Sequence, residues 1–133
     1  MSNPAQHPLD GLRIGILLCD GFEQAEMTEP RAALEEAGAS IRMLSEKTGQ
    51  VRGMHHDEEG DLFDTDTPFK QAAADEFDAI LLPGGEVNAR HIRDNPDAQA
   101  LVRQIDAQGK PIAVICHAPW LLISAGLVQG RKM

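Results

Sequence analysis

The sequence is poor in cysteine, in basic residues and in long apolar runs, and each shortage excludes a class of protein. Two cysteines among 133 residues cannot form a disulfide framework, which indicates a reducing compartment and predicts a cytoplasmic protein. Twelve Lys and Arg against 21 Asp and Glu give a net charge of −9, which disfavours binding to nucleic acid or to an anionic membrane surface. Residues 1–8 lack the basic and apolar segments of a signal peptide, and no apolar run is long enough to span a membrane.

What the chain does contain is a series of short apolar runs separated by helix-like segments. Residues 1–10 carry two prolines and no periodicity, so we expect a loose N-terminal arm followed by one domain over residues 11–133. Buried strands are predicted over residues 12–18, 40–44, 78–82 and 111–115. Continuous apolar strands that alternate with helices predict a doubly wound α/β fold of the flavodoxin type. In such a fold a mostly parallel sheet is covered by helices on both faces.

Helices are predicted over residues 23–37, 68–74 and 95–108, with a further helix from the end of the last strand to residue 125. Asp20 with Glu23 three positions later resembles a capping box at the start of the first helix. Pro30 predicts either a kink or a helix that restarts with Thr28 as its cap. Glu23 and Glu26, three residues apart, are expected to share one helix face.

Residues 48–68 show no helical or strand periodicity, and a β-hairpin or an irregular excursion is expected there. Thr67 is expected to cap the short helix that follows. The string His55–Glu59 contains residue types that bind metals, but nothing in it fixes four ligands in a closed geometry. We therefore interpret it as a solvated acidic loop, and no metal or other cofactor is predicted.

The most informative stretch surrounds Cys116, where an apolar strand stops and a helix-like run begins at about Trp120. A strand that turns into a helix so quickly presents the residue at the bend above the sheet edge, as a nucleophile elbow does. The helix N-terminus would favour the thiolate. A buried structural cysteine is the alternative. Cys19, at another strand end, is interpreted as a small core residue in preference to a resolving cysteine for Cys116.

Three segments of this pattern are expected to converge. Glu23, Gly85 and Cys116 each lie just past the predicted carboxyl end of a strand. In parallel sheets these ends share one edge, where the chemistry of doubly wound folds takes place.

Three strings in the same order along the chain carry a family resemblance: Asp20–Glu26 (DGFEQAE), Phe77–Gly85 (FDAILLPGG) and Gly109–Pro119 (GKPIAVICHAP). Through them, residues 12–133 resemble the ThiJ/PfpI family, a branch of the class I glutamine-amidotransferase-like superfamily. That branch contains intracellular cysteine peptidases, protein deglycases and cofactor-independent glyoxalases.

The resemblance implies roles for particular residues. Cys116 would be the nucleophile, and a glutamate of the first helix would share a proton with it. The position relative to Pro30 points to Glu26, and Glu23 is the other candidate.

The resemblance also implies an oxyanion-binding site at the pair Gly84 and Gly85. The backbone N–H groups of Gly85 and His117 would hold the oxyanion. His117 would be the general base or acid, or would contribute its main-chain N–H alone.

Two departures from the family pattern are visible. Members with a complete triad place an acid a few residues after the double glycine, where this chain has Ala89 or Arg90, and Glu86 has the wrong spacing. An incomplete triad is therefore expected, which disfavours peptidase activity. Family members also continue for another strand pair and a helix, so we expect the domain to lack its usual C-terminal part and to expose apolar surface.

The predicted function is that of a cofactor-free cysteine hydrolase: a protein deglycase, a glyoxalase or a peptidase. Its substrate would be a small carbonyl compound, a glycated protein or a peptide, and the family implies a homo-oligomer. A non-catalytic stress-response or redox-sensing protein with an oxidisable Cys116 is the main alternative. A glutamine-amidotransferase-like domain is the third.

Overall fold

The computed structural model describes residues 9–46, 48–55, 58–84 and 86–114, without the side chains of residues 86, 87 and 89. The α-helices of this part are α1 (Ala25–Glu36), α2 (Glu86–Asp94) and α3 (Pro96–Ala107). Its strands are β1 (Arg13–Leu17), β2 (Phe22–Glu23), β3 (Ser40–Ser45), β4 (Gly49–His55), β5 (Glu58–Thr65), β6 (Thr67–Pro68), β7 (Ala79–Leu82) and β8 (Ile112–Val114). Within these ranges no helix has both the length and the apolar character needed to cross a bilayer.

The main sheet has five parallel strands in the order β6-β3-β1-β7-β8. If the two-residue β6 is left out, the order in chain sequence is 2-1-3-4, which is that of flavodoxin-like doubly wound sheets. The predicted fold class is thereby confirmed. All four strands predicted from apolar runs are present, within one or two residues of the expected bounds over the described part of the chain.

The two faces of this sheet bury separate apolar clusters because side chains alternate along each strand. Leu17, Ile80 and Leu82 pack on one face with Leu101 and Ile105 of α3. The other face buries a second cluster beneath α1, made of Ile16, Leu18, Phe22, Met27, Met43, Val51 and Leu81. Helices therefore cover both faces, as the continuous apolar strands predicted.

A second, three-stranded sheet has the order β2-β4-β5 and was not predicted as a unit. Its β4 and β5 form an antiparallel hairpin, which confirms the hairpin expected in this region. Gln24 fastens the hairpin to the start of α1. Its N–H donates to Met54 O at 2.9 Å, its Oε1 accepts from Asp61 N at 2.8 Å and its Nε2 donates to Asp61 Oδ2 at 2.9 Å.

We expect Gly60→Ala to loosen this attachment. A Cβ at Gly60 would overlap Gln24 Oε1 and approach Gly53 O to 3.0 Å, so the Gln24 side chain must move and lose its bonds to Asp61. The expected loss is about 1 kcal/mol of unfolding free energy, measured by urea denaturation. In a Gln24→Ala background the same substitution is expected to cost much less. Equal losses of unfolding free energy in both backgrounds would show that contact with Gln24 is not the reason why position 60 requires glycine.

The start of α1 differs from the prediction. The helix begins at Ala25 rather than at position 23, and Gln24 precedes it without a side-chain cap. Asp20 makes no capping box because its Oδ1 accepts from Arg52 N at 2.7 Å, across to β4. α1 continues through Pro30, so a restart at Thr28 is wrong. A kink at Pro30 remains a prediction.

The helix predicted over residues 68–74 is wrong. Two 3₁₀ turns, Phe69–Gln71 and Ala74–Glu76, take its place. Thr67 does not cap a helix, because it lies in β6 and its Oγ1 accepts from Arg42 Nη2 at 2.9 Å.

The helix predicted over residues 95–108 is confirmed as α3. Asn95 Oδ1 caps it by accepting from the N–H groups of Asp97 and Ala98 at 2.9 and 3.0 Å. The prediction missed α2, which directly follows the double glycine.

The ends of the chain lie largely outside the described residues. These include residues 1–8 of the predicted arm and the final helix predicted to residue 125. Leu9, the first described residue, donates its N–H to Ala37 O at 2.9 Å and is thereby attached to the end of α1.

Candidate functional site

The candidate site lies at the carboxyl ends of β1 and β7, which are neighbours in the sheet. From β1 the chain passes to β3 on one side and later to β7 on the other. This is a topological switch point, and doubly wound folds bind their ligands in the crevice outside it. The segments after β1 and β7 carry two of the three predicted site elements: the glutamates and the first of the two glycines.

Glu23 contacts Gly84, the residue before Gly85, while the expected convergence of Glu23 with Gly85 and Cys116 stays a prediction. The N–H of Glu23 donates to Gly84 O at 2.9 Å. Glu23 lies in β2, opposite Met54 of β4, and not in the helix. The prediction that Glu23 and Glu26 share one helix face is therefore wrong.

Glu26 lies in the first turn of α1, where a carboxylate interacts favourably with the helix dipole. The residue as a whole is half-buried, but its Oε1 is fully buried and has no hydrogen-bond partner among the described residues. Buried carboxyl oxygens are normally paired, since an unpaired one loses the solvation that water would give it. This oxygen is therefore a candidate for contact with a reacting group.

Asn88 is the site residue that the sequence analysis missed. It lies in α2, is 0% exposed, and its amide contacts the segments after both strands. Its Oδ1 accepts from Cys19 N at 2.5 Å, and its Nδ2 donates to Pro83 O at 3.0 Å and Gly84 O at 3.3 Å. The sequence offered no signal for Asn88, because α2 was not predicted and the partners of the amide lie in two other segments of the chain.

Cys116, His117 and Gly85 lie outside the described residues, so their predicted roles remain predictions. The strand that leads to Cys116 is described as far as Val114, which pairs with Leu82 at the end of β7. Along the chain, Cys116 follows Val114 by two positions.

Cys19 is buried in the apolar cluster on the α3 side of the sheet, with 0% exposure, as expected for a core residue. Burial is the main cause that raises the pKa of its thiol to about 12, and the nearby Glu46 carboxylate adds to the effect. The Cys19 thiol is therefore neutral at physiological pH. A thiol in this state is a poor nucleophile, which disfavours a redox role for Cys19.

We expect Cys19 to resist alkylation in the folded protein. At pH 8.5, iodoacetamide should modify Cys19 only after denaturation, because the thiol is both buried and neutral. Peptide mass mapping of native and urea-treated samples tests this. Native labelling of Cys19 at the rate of a free thiol would contradict the burial described here.

Arg90 lies on an exposed part of α2, within the stretch where a triad acid was sought. It lines an open cavity of about 520 Å³ together with Glu46, His91, Asp94, Asn95 and Pro96. His91 Nδ1 lies 3.8 Å from a Glu46 carboxylate oxygen. The cavity is thus bordered by charges of both signs.

The residues of the predicted acidic loop are exposed where they are described, but they belong to strands: His55 ends β4, and Glu58 and Glu59 begin β5. Residues 56 and 57 lie outside the described part. No group of three or more His, Cys, Asp or Glu that could hold a metal ion occurs in the portion of the chain that the structure describes.

Comparison with known proteins places these features in a family. Residues 12–133 match the DJ-1/PfpI family. The chain is 38% identical over 121 residues to deglycase PfpI of Pyrococcus furiosus, covering 91% of this chain and 70% of that protein. It is 34% identical over 123 residues to protein/nucleic acid deglycase 2 of Escherichia coli, covering 91% of this chain and 69% of the relative.

Solved structures agree in fold. The structure of oxidized Toxoplasma gondii DJ-1 matches with a TM-score of 0.81 and 30% identity, over 92% of this chain and 65% of that one. In seven similar solved structures, this chain spans 34% to 66% of the length of the matched chain. The parallel sheet, the two matched deglycases and the family match over residues 12–133 lead to one conclusion: the chain belongs to the DJ-1/PfpI family.

Proposed function

We propose that the protein is a cofactor-free, cysteine-dependent hydrolase that acts as a deglycase or glyoxalase on small dicarbonyl compounds or on proteins modified by them. The observation that carries the proposal concerns Glu26 Oε1, which is buried and has no hydrogen-bond partner among the described residues. It belongs to the helix that begins beside the Glu23–Gly84 contact at the switch point. A carboxyl oxygen in that state suits contact with a nucleophilic thiol.

In the proposed reaction the Cys116 thiolate attacks an aldehyde carbonyl. A carbon–sulfur bond forms, the carbonyl π electrons move to oxygen, and the backbone N–H groups of Gly85 and His117 hold that oxyanion. Glu26 then moves a proton between the two adjacent carbons of the dicarbonyl, which leaves a thioester. Water cleaves the thioester and restores the thiol, so methylglyoxal plus water gives lactate with no external oxidant or reductant.

The substrate class follows from two considerations. The matched relatives from Pyrococcus furiosus and Escherichia coli are named deglycases, which supports carbonyl adducts as substrates. Arg90 in place of a triad acid disfavours a general base strong enough for peptide hydrolysis. We further propose a homo-oligomer, which the family resemblance implies, and a cytoplasmic location, which the low cysteine content favours.

A redox-sensing protein is the second candidate. It would use the same reactive thiol without turnover, by oxidising Cys116 to sulfenic or sulfinic acid. The description of the matched Toxoplasma gondii structure as oxidized favours this candidate enough to test it.

One pair of measurements separates the two functions. Purified protein is incubated with methylglyoxal, and both loss of the dicarbonyl and formation of lactate are followed. A parallel sample is titrated with peroxide and its intact mass is recorded. Catalytic turnover beyond one equivalent supports the hydrolase. Absence of turnover combined with stoichiometric oxygen addition would replace it with the redox sensor.

A further inference from the structure

Asn88 has an amide whose hydrogen-bonding groups are all engaged by backbone. The side chain is 0% exposed, its oxygen accepts from Cys19 N, and its nitrogen donates to Pro83 O and Gly84 O. Asparagine offers one such oxygen and two N–H donors on a short planar group. One contact uses the oxygen and two use the nitrogen, so both ends of the amide are engaged.

The three contacts cross the switch point. Cys19 follows β1, and Pro83 and Gly84 follow β7, so the amide joins the backbone beyond two adjacent strands. Glu23 N adds a second donor to Gly84 O, from β2. The carbonyl of Gly84 is thus held by one main-chain donor and one side-chain donor from separate elements.

We propose that Asn88 is a positioning residue that holds the backbone at Cys19, Pro83 and Gly84, directly before the proposed oxyanion donor in the chain. This inference rests on the proposed function, because positioning an oxyanion donor affects catalysis only if the protein carries out the proposed reaction. The doubly held Gly84 carbonyl directly precedes Gly85 in the chain, and the N–H of Gly85 is the proposed oxyanion donor. An N–H group stabilises an oxyanion best when it is already oriented before the reaction, because no free energy is then spent on reorganising the donor as charge develops.

Neither aspartate nor alanine can make the same three contacts. Aspartate at position 88 would keep an acceptor for Cys19 N but would direct a second oxygen at two carbonyl oxygens. Alanine would leave Cys19 N without its partner. Asn88→Asp is therefore the sharper variant, since it preserves shape and reverses the polarity towards Pro83 and Gly84.

The test compares Asn88→Asp and Asn88→Ala with a control, Ile105→Val, on the full chain. Ile105 is buried in the last turn of α3, which leads to the opposite, amino edge of the sheet at β8. With methylglyoxal as the probe, Asn88→Asp is expected to lower kcat about tenfold or more and to change KM less than about twofold. Ile105→Val is expected to leave both values near wild type.

Amide hydrogen exchange provides the readout that does not depend on activity. In wild type, the amides of Cys19 and Glu23 should exchange as slowly as those of β1. In the Asn88 variants both should exchange at least about tenfold faster. In Ile105→Val they should not.

The outcomes separate this proposal from the proposed function. An inactive wild-type protein with protected Cys19 and Glu23 amides would overturn the hydrolase and leave the backbone contacts of Asn88 supported by exchange. An active wild type with unchanged kcat in Asn88→Asp would overturn the positioning role. If both variants fail to fold, rapid exchange of Cys19 and Glu23 in the wild type would overturn it, and slow exchange would support it.

Discussion

Cys116→Ser is expected to abolish turnover of methylglyoxal, with a fall in kcat/KM of at least about 10³-fold. Serine is nearly isosteric with cysteine, but its hydroxyl remains protonated at neutral pH and forms a weak nucleophile without a strong base. Arg90 stands in the stretch where the family pattern would supply the acid that supports such a base. Serine therefore has no means of replacing the thiolate. Rates of lactate formation under saturating and limiting substrate measure the loss.

The chain supplies a matched control in its other cysteine. Cys19→Ala removes a sulfur that is buried, protonated and engaged in the core, and it keeps the backbone N–H that donates to Asn88 Oδ1. We expect a loss of about 1 kcal/mol of stability with kcat/KM within about threefold of wild type. If Cys19→Ala lost activity while Cys116→Ser kept it, the assignment of the nucleophile would be wrong.

The second large effect is expected from Glu26→Gln. Glutamine preserves the shape of the side chain in the first turn of α1 but cannot exchange a proton with a thiol or a substrate carbon. We expect kcat to fall about 10²-fold or more and the pH profile of iodoacetamide labelling at Cys116 to shift. The melting temperature should change by only a few degrees, because the helix and its packing remain.

Glu23→Gln is the control for Glu26→Gln. Glu23 contacts Gly84 through its backbone N–H, which the substitution leaves in place, and it lies in β2 rather than in the helix. We expect an effect on kcat below about threefold. A larger loss from Glu23→Gln than from Glu26→Gln would assign the proton-sharing role to Glu23. No loss from either would show that the family contact does not extend to this chain.

The sequence predicted the main sheet well because burial on both faces leaves a continuous apolar run that few other structures require. Ile14–Leu17 and Ile80–Leu82 are such runs, and both form central strands. Asn95 also predicted its helix correctly, since its cap is a local interaction with the next turn. Burial patterns and local caps of this kind can be predicted from the sequence without knowing which other segments lie nearby in the fold.

Predictions failed where distant backbone competed for the same groups. Asp20 was predicted to cap α1, but its carboxylate accepts a hydrogen bond from the N–H of Arg52 on β4 instead. Thr67 was predicted to cap a helix, but pairing with β3 and the guanidinium of Arg42 hold it in a strand. In both cases a residue with a good local role is used by an element far away in the sequence.

The sequence by itself determined the family, the parallel strands and the order of the glutamate, glycine and cysteine segments along the chain. Only the tertiary structure decided that Glu23 belongs to a strand, that Glu26 has a buried oxygen without a partner among the described residues, and that Asn88 joins the ends of two strands. The physical reason is that burial patterns are periodic and local. A buried hydrogen bond such as that from Cys19 N to Asn88 depends on two segments 69 residues apart, and no pattern within either segment specifies the other.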